Sequence, residues 1–193
     1  NCDFIFSGPG VERISEEIKK NFPSKKVEIF SSDTMSKKGS KELLEKIVSS
    51  GREVGVSSLR ADRIARKPDI SRLLRDGGYN TLTVASDAAS HRLRKTISKG
   101  TLEKHIIECA KQAAEHKYKV LKVYMMLGLP DERDEDIHEL IKFTLELAKI
   151  HPVALGVAPF VPKKNTPMDD DAFAGIKIVE KSSKMASLFC CHT

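Results

Sequence analysis

The chain predicts an α/β fold: a parallel sheet of successive βα units, either an incomplete (β/α) barrel or an open doubly wound sheet. Three observations carry this reading. Short β-branched and apolar runs alternate with amphipathic helical stretches of ten to fifteen residues, the pattern of βα units. The 193 residues are 40 % hydrophobic and 31 % charged, which suits a packed domain and excludes a disordered chain. No apolar run approaches the roughly 18 residues that a membrane helix needs, and the Phe4–Phe6 run is too short for a secretory leader.

The elements follow in order. Val11 to Asn21 reads as a helix with Val11, Ile14 and Ile18 on one face, ended by Pro23 and Ser24. Val27 to Phe30 is a short strand, and Asp3 to Phe6 a further candidate. Ser40 can cap a helix to Val48 whose inner positions are Leu43, Leu44, Ile47 and Val48, with Gly51 as its stop. Val54 to Ser58 is the next strand, followed by a helix from Ile64 to Arg75 that Gly77-Gly78 ends. Asn80 to Ala85 is a β-branched strand. Thr101 caps a helix to about His116 with Ile106, Ile107, Ala110 and Ala114 as its buried stripe, leaving His105 and His116 on the surface. Lys119 to Leu127 is the strongest strand, closed by Gly128-Leu129-Pro130. Asp134 caps a helix from Glu135 to Lys149, whose acidic first turn suits the positive end of its dipole. Val153 to Val161 is the last strand, and Asp169 to Thr193 lacks a clean period, a weak helix or tail. The chain therefore divides into an N-terminal βα segment (1–50), a partial barrel (51–168) and a tail (169–193).

Charge is concentrated in the middle. The net charge is +6, but residues 51–122 alone hold 16 bases against 8 acids. Such a segment can meet an anion or simply present a solvated basic helix face. No aromatic series accompanies the basic residues, which argues against nucleic-acid stacking. Cys2, Cys109, Cys190 and Cys191 follow no ladder spacing, and free thiols point to a reducing, cytoplasmic compartment. Cys190-Cys191-His192 falls short of a four-ligand zinc set, so no residue is assigned to a metal. Gly8-Pro9-Gly10 lacks the lysine and hydroxyl residue of a phosphate loop, and no nucleophile elbow occurs.

Ligands of a parallel sheet meet the C-terminal ends of its strands. Ser57, Ser58 and Arg60 follow one strand, Asp87 and Arg92 the next, the 128–132 loop the third and Pro162-Lys163 the last. The serines offer hydroxyls, and Arg60 and Arg92 offer a planar fork for a carboxylate or phosphate. Equally, Arg60, Arg92 and Arg94 can pair with surface acids, while Ser86 or Asp87 caps the following helix. Gly128 and Pro130 permit close backbone approach or simply make a turn. Lys122 stands in a strand expected to be buried on both faces, so it needs a ligand or an ion pair; Tyr124 shares its face.

These loops carry a family resemblance. VGVSSLRADRI (54–64), LLRDGGYNTLTVASDAASHRLRKTISKG (73–100), LKVYMMLGLPDERDEDI (121–137) and APFVPKKNTPM (158–168) together resemble the C-terminal two-thirds of a radical-SAM catalytic domain. The likeness is closest to the branch often found beside a cobalamin-binding domain. It implies a partial (β/α) barrel that binds S-adenosylmethionine and a [4Fe-4S] cluster and generates a 5′-deoxyadenosyl radical. By the same resemblance Ser57, Ser58, Arg60, Asp87, Arg92, Lys122 and Tyr124 line the cofactor cleft, and Gly128, Pro130, Pro162 and Lys163 form the substrate mouth. Departures are equally plain. The family's C-x3-C-x2-C run and its glycine-rich loop are missing, and Ser86, Asp87 and Ala89 replace Pro, Glu and Gly of the family's run. Without clustered thiolates nothing holds the iron, so the expectation is a cofactor-binding part, inactive alone, whose missing N-terminal half is a possible partner.

FSGPGVERISEEIKKNFPSKKVEIFSSDTMSKKGSKELLEKI (6–47) is similar to the start of the second helicase lobe of the bacterial primosomal replication-restart helicase. An early βα unit of the barrel is the alternative, and a fused or truncated coding sequence accounts for the join near Ser50. Three functions are therefore expected to compete: a radical-SAM-type part acting on an unidentified small-molecule or macromolecular substrate, a non-catalytic ligand- or partner-binding fragment, and a DNA-binding helicase fragment.

Overall fold

A computed structural model of the chain describes residues 16, 17, 19–23, 40–51 and 53–190. The chain divides into two compact units, residues 1–37 and 38–193. In the first, the Asn21 side-chain amide donates to the Glu17 carbonyl at 3.0 Å, a helical spacing. Most of the expected Val11–Asn21 helix lies outside the described residues. So do the Asp3–Phe6 and Val27–Phe30 strands, Gly8-Pro9-Gly10, Cys2, Cys191 and His192.

The second unit is an α/β fold built on a four-stranded sheet. Its strands are β1 (Leu59–Arg60), β2 (Thr81–Asp87), β3 (Val120–Leu127) and β4 (Val153–Pro159), in that spatial order. Every neighbouring pair is parallel. Helices α1 (Ser40–Ser49), α2 (Ala61–Ile64), α3 (Pro68–Asp76), α4 (His91–Thr96), α5 (Glu103–Glu115), α6 (Asp134–Ala148) and α7 (Ile176–Cys190) accompany it. This architecture is consistent with an incomplete barrel.

Strand alternation explains the core. Leu82 and Val84 of β2 face the helices and are fully buried, as are Leu121 and Leu127 of β3; Val123 and Met125 are nearly so. Ile106, Cys109, Ala110 and Ala113 of α5, with Ile137, Leu140 and Leu147 of α6, complete that core. Each large aliphatic side chain removed from water contributes about 1.5–3 kcal/mol.

Several expectations shift for identifiable reasons. The strand expected at Val54–Ser58 is instead β1 at Leu59–Arg60, because only those two residues pair with β2. The helix expected from Ile64 to Arg75 is two helices. Pro68 opens α3, and Lys67 before it is held out of the helical region at φ −136° and ψ 66°. The helix expected after β2 is α4. Its cap is Ser90, whose Oγ accepts from the Leu93 amide at 3.2 Å, rather than Ser86 or Asp87. Leu102 and Arg133 precede α5 and α6 as caps in place of Thr101 and Asp134. His105 is buried, not on the surface: its Nδ1 accepts from the Leu102 amide at 3.2 Å. Ala113 takes the inner position expected of Ala114, which is exposed. The unpatterned tail contains a real helix, α7. Its Ser182 and Ala186 are buried, while Ile176 and Ile178 stay exposed, which blurs the period.

Candidate functional site: the open sheet face and its C-terminal rim

The face of β3 opposite the helices carries Lys122, Tyr124 and Met126. Register puts Thr83, Lys122 and Ala154 on one level, and Arg60, Ala85, Tyr124 and Gly156 on the next. Lys122 was expected in a strand covered on both faces. Among the described residues this face is open: Tyr124 is 40 % exposed and Lys122 half-buried. The Lys122 ammonium sits 4.8 Å from the centroid of the Tyr124 ring, a cation–π contact rather than an ion pair. Beneath them Gly156 is required, because a Cβ there would come within 2.5 Å of the tyrosine Cε1. Small residues at 85, 154 and 156 thus leave a bare floor beside one cation and one exposed aromatic edge.

Tyr79 closes the lower end of this face. Its hydroxyl lies 3.1 Å from the carbonyls of Val56 and Ser57 and donates to that chain segment. Burial raises its pKa, offset in part by a hydrogen bond with Thr83. The tyrosine went unnoticed in the sequence because it sits in a Gly-Gly-Tyr-Asn turn with no signal of an inward face.

The expected site residues do not all converge. Ser57 and Ser58 lie in the segment leading into β1. Arg60 shares the level of Tyr124, and its Nε and Nη2 each reach an Asp62 oxygen at 3.1 Å. Burial pushes the Asp62 carboxyl upward, but hydrogen bonds and charge from Arg60, then Arg63, hold it below its ordinary value. Asp87 stands at the end of β2, past a register shift, at φ +65° and ion-paired with Lys99. Arg92 turns to the start of α6, where it pairs with Asp136 and donates to the Asp131 carbonyl at 2.7 Å. Asp136 is 4 % exposed and also receives Ser90 Oγ and, at 2.8 Å, the Arg133 amide. That carboxylate is the anchor of the β2–α4 loop, and only its membership of an acidic first turn hinted at it. Arg94 is buried against Ser86 Oγ at 3.4 Å and Glu103 at 3.1 Å, so it is a core residue.

At the rim, Gly128 adopts φ +77° and lies under α7, where a Cβ would meet Val179 Cγ2 at 3.0 Å. Its close approach is therefore to the tail. The Gly128 amide donates to Glu132 at 3.0 Å, and burial, the largest influence, raises the pKa of that carboxyl. Lys163 lines a cavity of about 400 Å³ with Met126 and Phe160. Pro130 and Pro162 are half-buried in the loops after β3 and β4.

Residues 9–144 match the family model of the radical SAM superfamily. The chain belongs to that superfamily. This radical-SAM chain is 37 % identical over 140 residues to an uncharacterized protein of Methanocaldococcus jannaschii, covering 69 % of the chain and 30 % of that protein. It is 26 % identical over 161 residues to an uncharacterized methyltransferase of Pyrococcus horikoshii, covering 76 % of the chain and 34 % of that protein. It spans about a third of the length of these curated relatives.

A radical-SAM iron–sulfur cluster does not fit the cysteines present. Cys109 is fully buried, its Sγ 3.7 Å from the Ala61 carbonyl, and burial pushes its thiol up to about 12. Buried in the core with no second cysteine beside it among the described residues, this thiol has neither the partners nor the access that a cluster ligand needs. The four cysteines contain no C-x3-C-x2-C run, and among the described residues no group of three His, Cys, Asp or Glu side chains gathers as a metal site. Among the described residues no helix is long and apolar enough to cross a membrane.

Proposed function

We propose that this chain is the S-adenosylmethionine-facing part of a radical-SAM barrel and binds the cofactor without itself holding the cluster that cleaves it. The observation that carries the reading is the open face: Lys122 and Tyr124 stand beside a floor of Ala85, Ala154 and Gly156, on the sheet face opposite the helices. An ammonium 4.8 Å from the ring centroid repels a sulfonium on that same side but suits the methionyl carboxylate. The exposed part of the tyrosine ring offers a flat apolar surface to a purine. Arg60 stands on β1 at the level of Tyr124, and Ser57 and Ser58 lie in the segment that leads into that strand. Asp87 and Arg92 act by holding the rim through Lys99 and Asp136. Residues 51–168 form this part, and a family match that starts at residue 9 supports residues 1–50 as an earlier βα unit rather than a helicase lobe. A cytoplasmic location accords with the free thiol of Cys109.

Calorimetric titration of the folded chain with S-adenosylmethionine tests this. Saturable heat that weakens about tenfold in Tyr124→Ala, with one polar and one stacking contact disturbed at about 1–1.5 kcal/mol together, supports it. Absence of heat with folded wild type refutes it.

A further inference from the structure

The cavity of about 400 Å³ at the C-terminal rim lies between the end of α4, the tip of β3 and the 160–168 loop. It falls within the roughly 300–1,000 Å³ of small-molecule sites. Its walls are apolar: Ile97, Met126, Phe160 and Met168. Phe160 is 5 % exposed, and its amide donates to the Leu127 carbonyl at 2.8 Å, so this wall is fixed to β3. The two methionines are unbranched and adapt to the contour of whatever lies against them.

Polar groups are few, and their charge is one-sided. Lys163 lines the cavity and has no ion-pair partner among the described residues. Nearby lysines are already neutralised, Lys99 by Asp87 and Lys164 by Asp169 at 3.3 Å. Ser98 adds a hydroxyl, on a backbone at φ +54°; Thr96 and Thr166 also line the cavity, but their hydroxyls already donate to the Arg92 and Lys163 carbonyls at 3.3 and 2.8 Å. Among the described residues no carboxylate lines the cavity. A single uncompensated ammonium beside apolar walls disfavours a cation and has too little charge for a polyphosphate. It also offers too few donors and acceptors for a sugar or a peptide backbone.

We propose that this cavity binds an amphipathic carboxylate, its unbranched apolar chain against Met126, Met168 and Phe160 and its one negative charge on Lys163. Met126 shares the sheet face of Tyr124 and Lys122, so the chain lies beside the cofactor face. Calling this ligand the substrate rests on the function proposed above; its binding does not.

Calorimetry of the full chain with hexanoate, octanoate, decanoate and octan-1-ol decides the matter. Affinity rises about fourfold per added methylene, the equivalent of about 0.8 kcal/mol. Lys163→Gln, a change at an exposed side chain, weakens octanoate about two- to fivefold and leaves octan-1-ol unchanged. Met168→Glu, in the loop, abolishes decanoate binding while circular dichroism stays that of wild type. No binding of decanoate, binding independent of chain length, or a Lys163→Gln variant that binds octanoate like wild type overturns the proposal. S-adenosylmethionine titrated into the same samples separates the two claims. Heat from the cofactor with none from decanoate overturns the cavity alone; heat from decanoate with none from the cofactor supports the cavity and overturns the function.

Discussion

Replacing Asp136 by Asn should loosen the rim, and the structure says by how much. The carboxylate is 4 % exposed and holds Ser90 Oγ, the Arg92 guanidinium and the Arg133 amide. An amide of the same shape keeps one acceptor but offers an N–H where Arg92 needs an oxygen. Breaking a fully buried pair costs about 3–5 kcal/mol. The Arg92 side chain is 41 % exposed and can recover water, which lowers the expected loss to about 2–3 kcal/mol. With a urea slope of about 2 kcal/mol/M, the midpoint falls by about 1–1.5 M. Burial pushes the Asp136 carboxyl up, but hydrogen bonds from Arg92, Ser90 and the Arg133 amide together hold it below the ordinary 3.8. A depressed folded pKa gives stability that is present above the unfolded value and lost as pH falls through the folded one. The gap between wild type and Asp136→Asn therefore stays constant from neutral pH to about 5 and closes below 3.8. A midpoint shift under about 0.3 M, or a gap that closes near neutral pH, would refute the reasoning.

Three further outcomes follow from named contacts. Gly156→Ala pushes a methyl into the Tyr124 ring and should cost about 1–2 kcal/mol; in a Tyr124→Ala background that cost should vanish, a coupling that urea melts of the four proteins measure. Cys109 should resist iodoacetamide at pH 8 until the chain unfolds, because burial holds its thiol near 12; mass spectrometry of its peptide shows this. Glu132→Gln should stabilise the chain at pH 7. Burial raises the Glu132 pKa above 4.5, so its charged form is disfavoured; the advantage should shrink as pH falls through that raised pKa and be gone below 4.5 in a thermal-melt series.

Much of the fold was legible because it is local. β2 and β3 announce themselves by β-branched and apolar density, and their C-terminal ends carry the loops that the resemblance singled out. The sharing of one face by Lys122 and Tyr124 follows from strand alternation alone. What was illegible depends on partners distant in sequence. Arg92 meets Asp136 across 44 positions, and Ser182 meets Glu132 across 50. No local period reports such pairs. For the same reason nothing local shows that Gly128 lies against Val179 of α7 rather than beneath a ligand. The 64–75 stretch reads as one helix because its apolar rhythm is continuous, while Pro68 interrupts the backbone.

The most direct test of the central claim is a two-dimensional amide NMR spectrum of the labelled chain as S-adenosylmethionine is added. The account predicts shifts clustered on residues 83–85, 122–126 and 154–158, the strand segments around the bare sheet face, with α5 amides at 106–113 unmoved. A folded chain whose spectrum does not change, or one whose shifts fall on the helix-covered side, contradicts it.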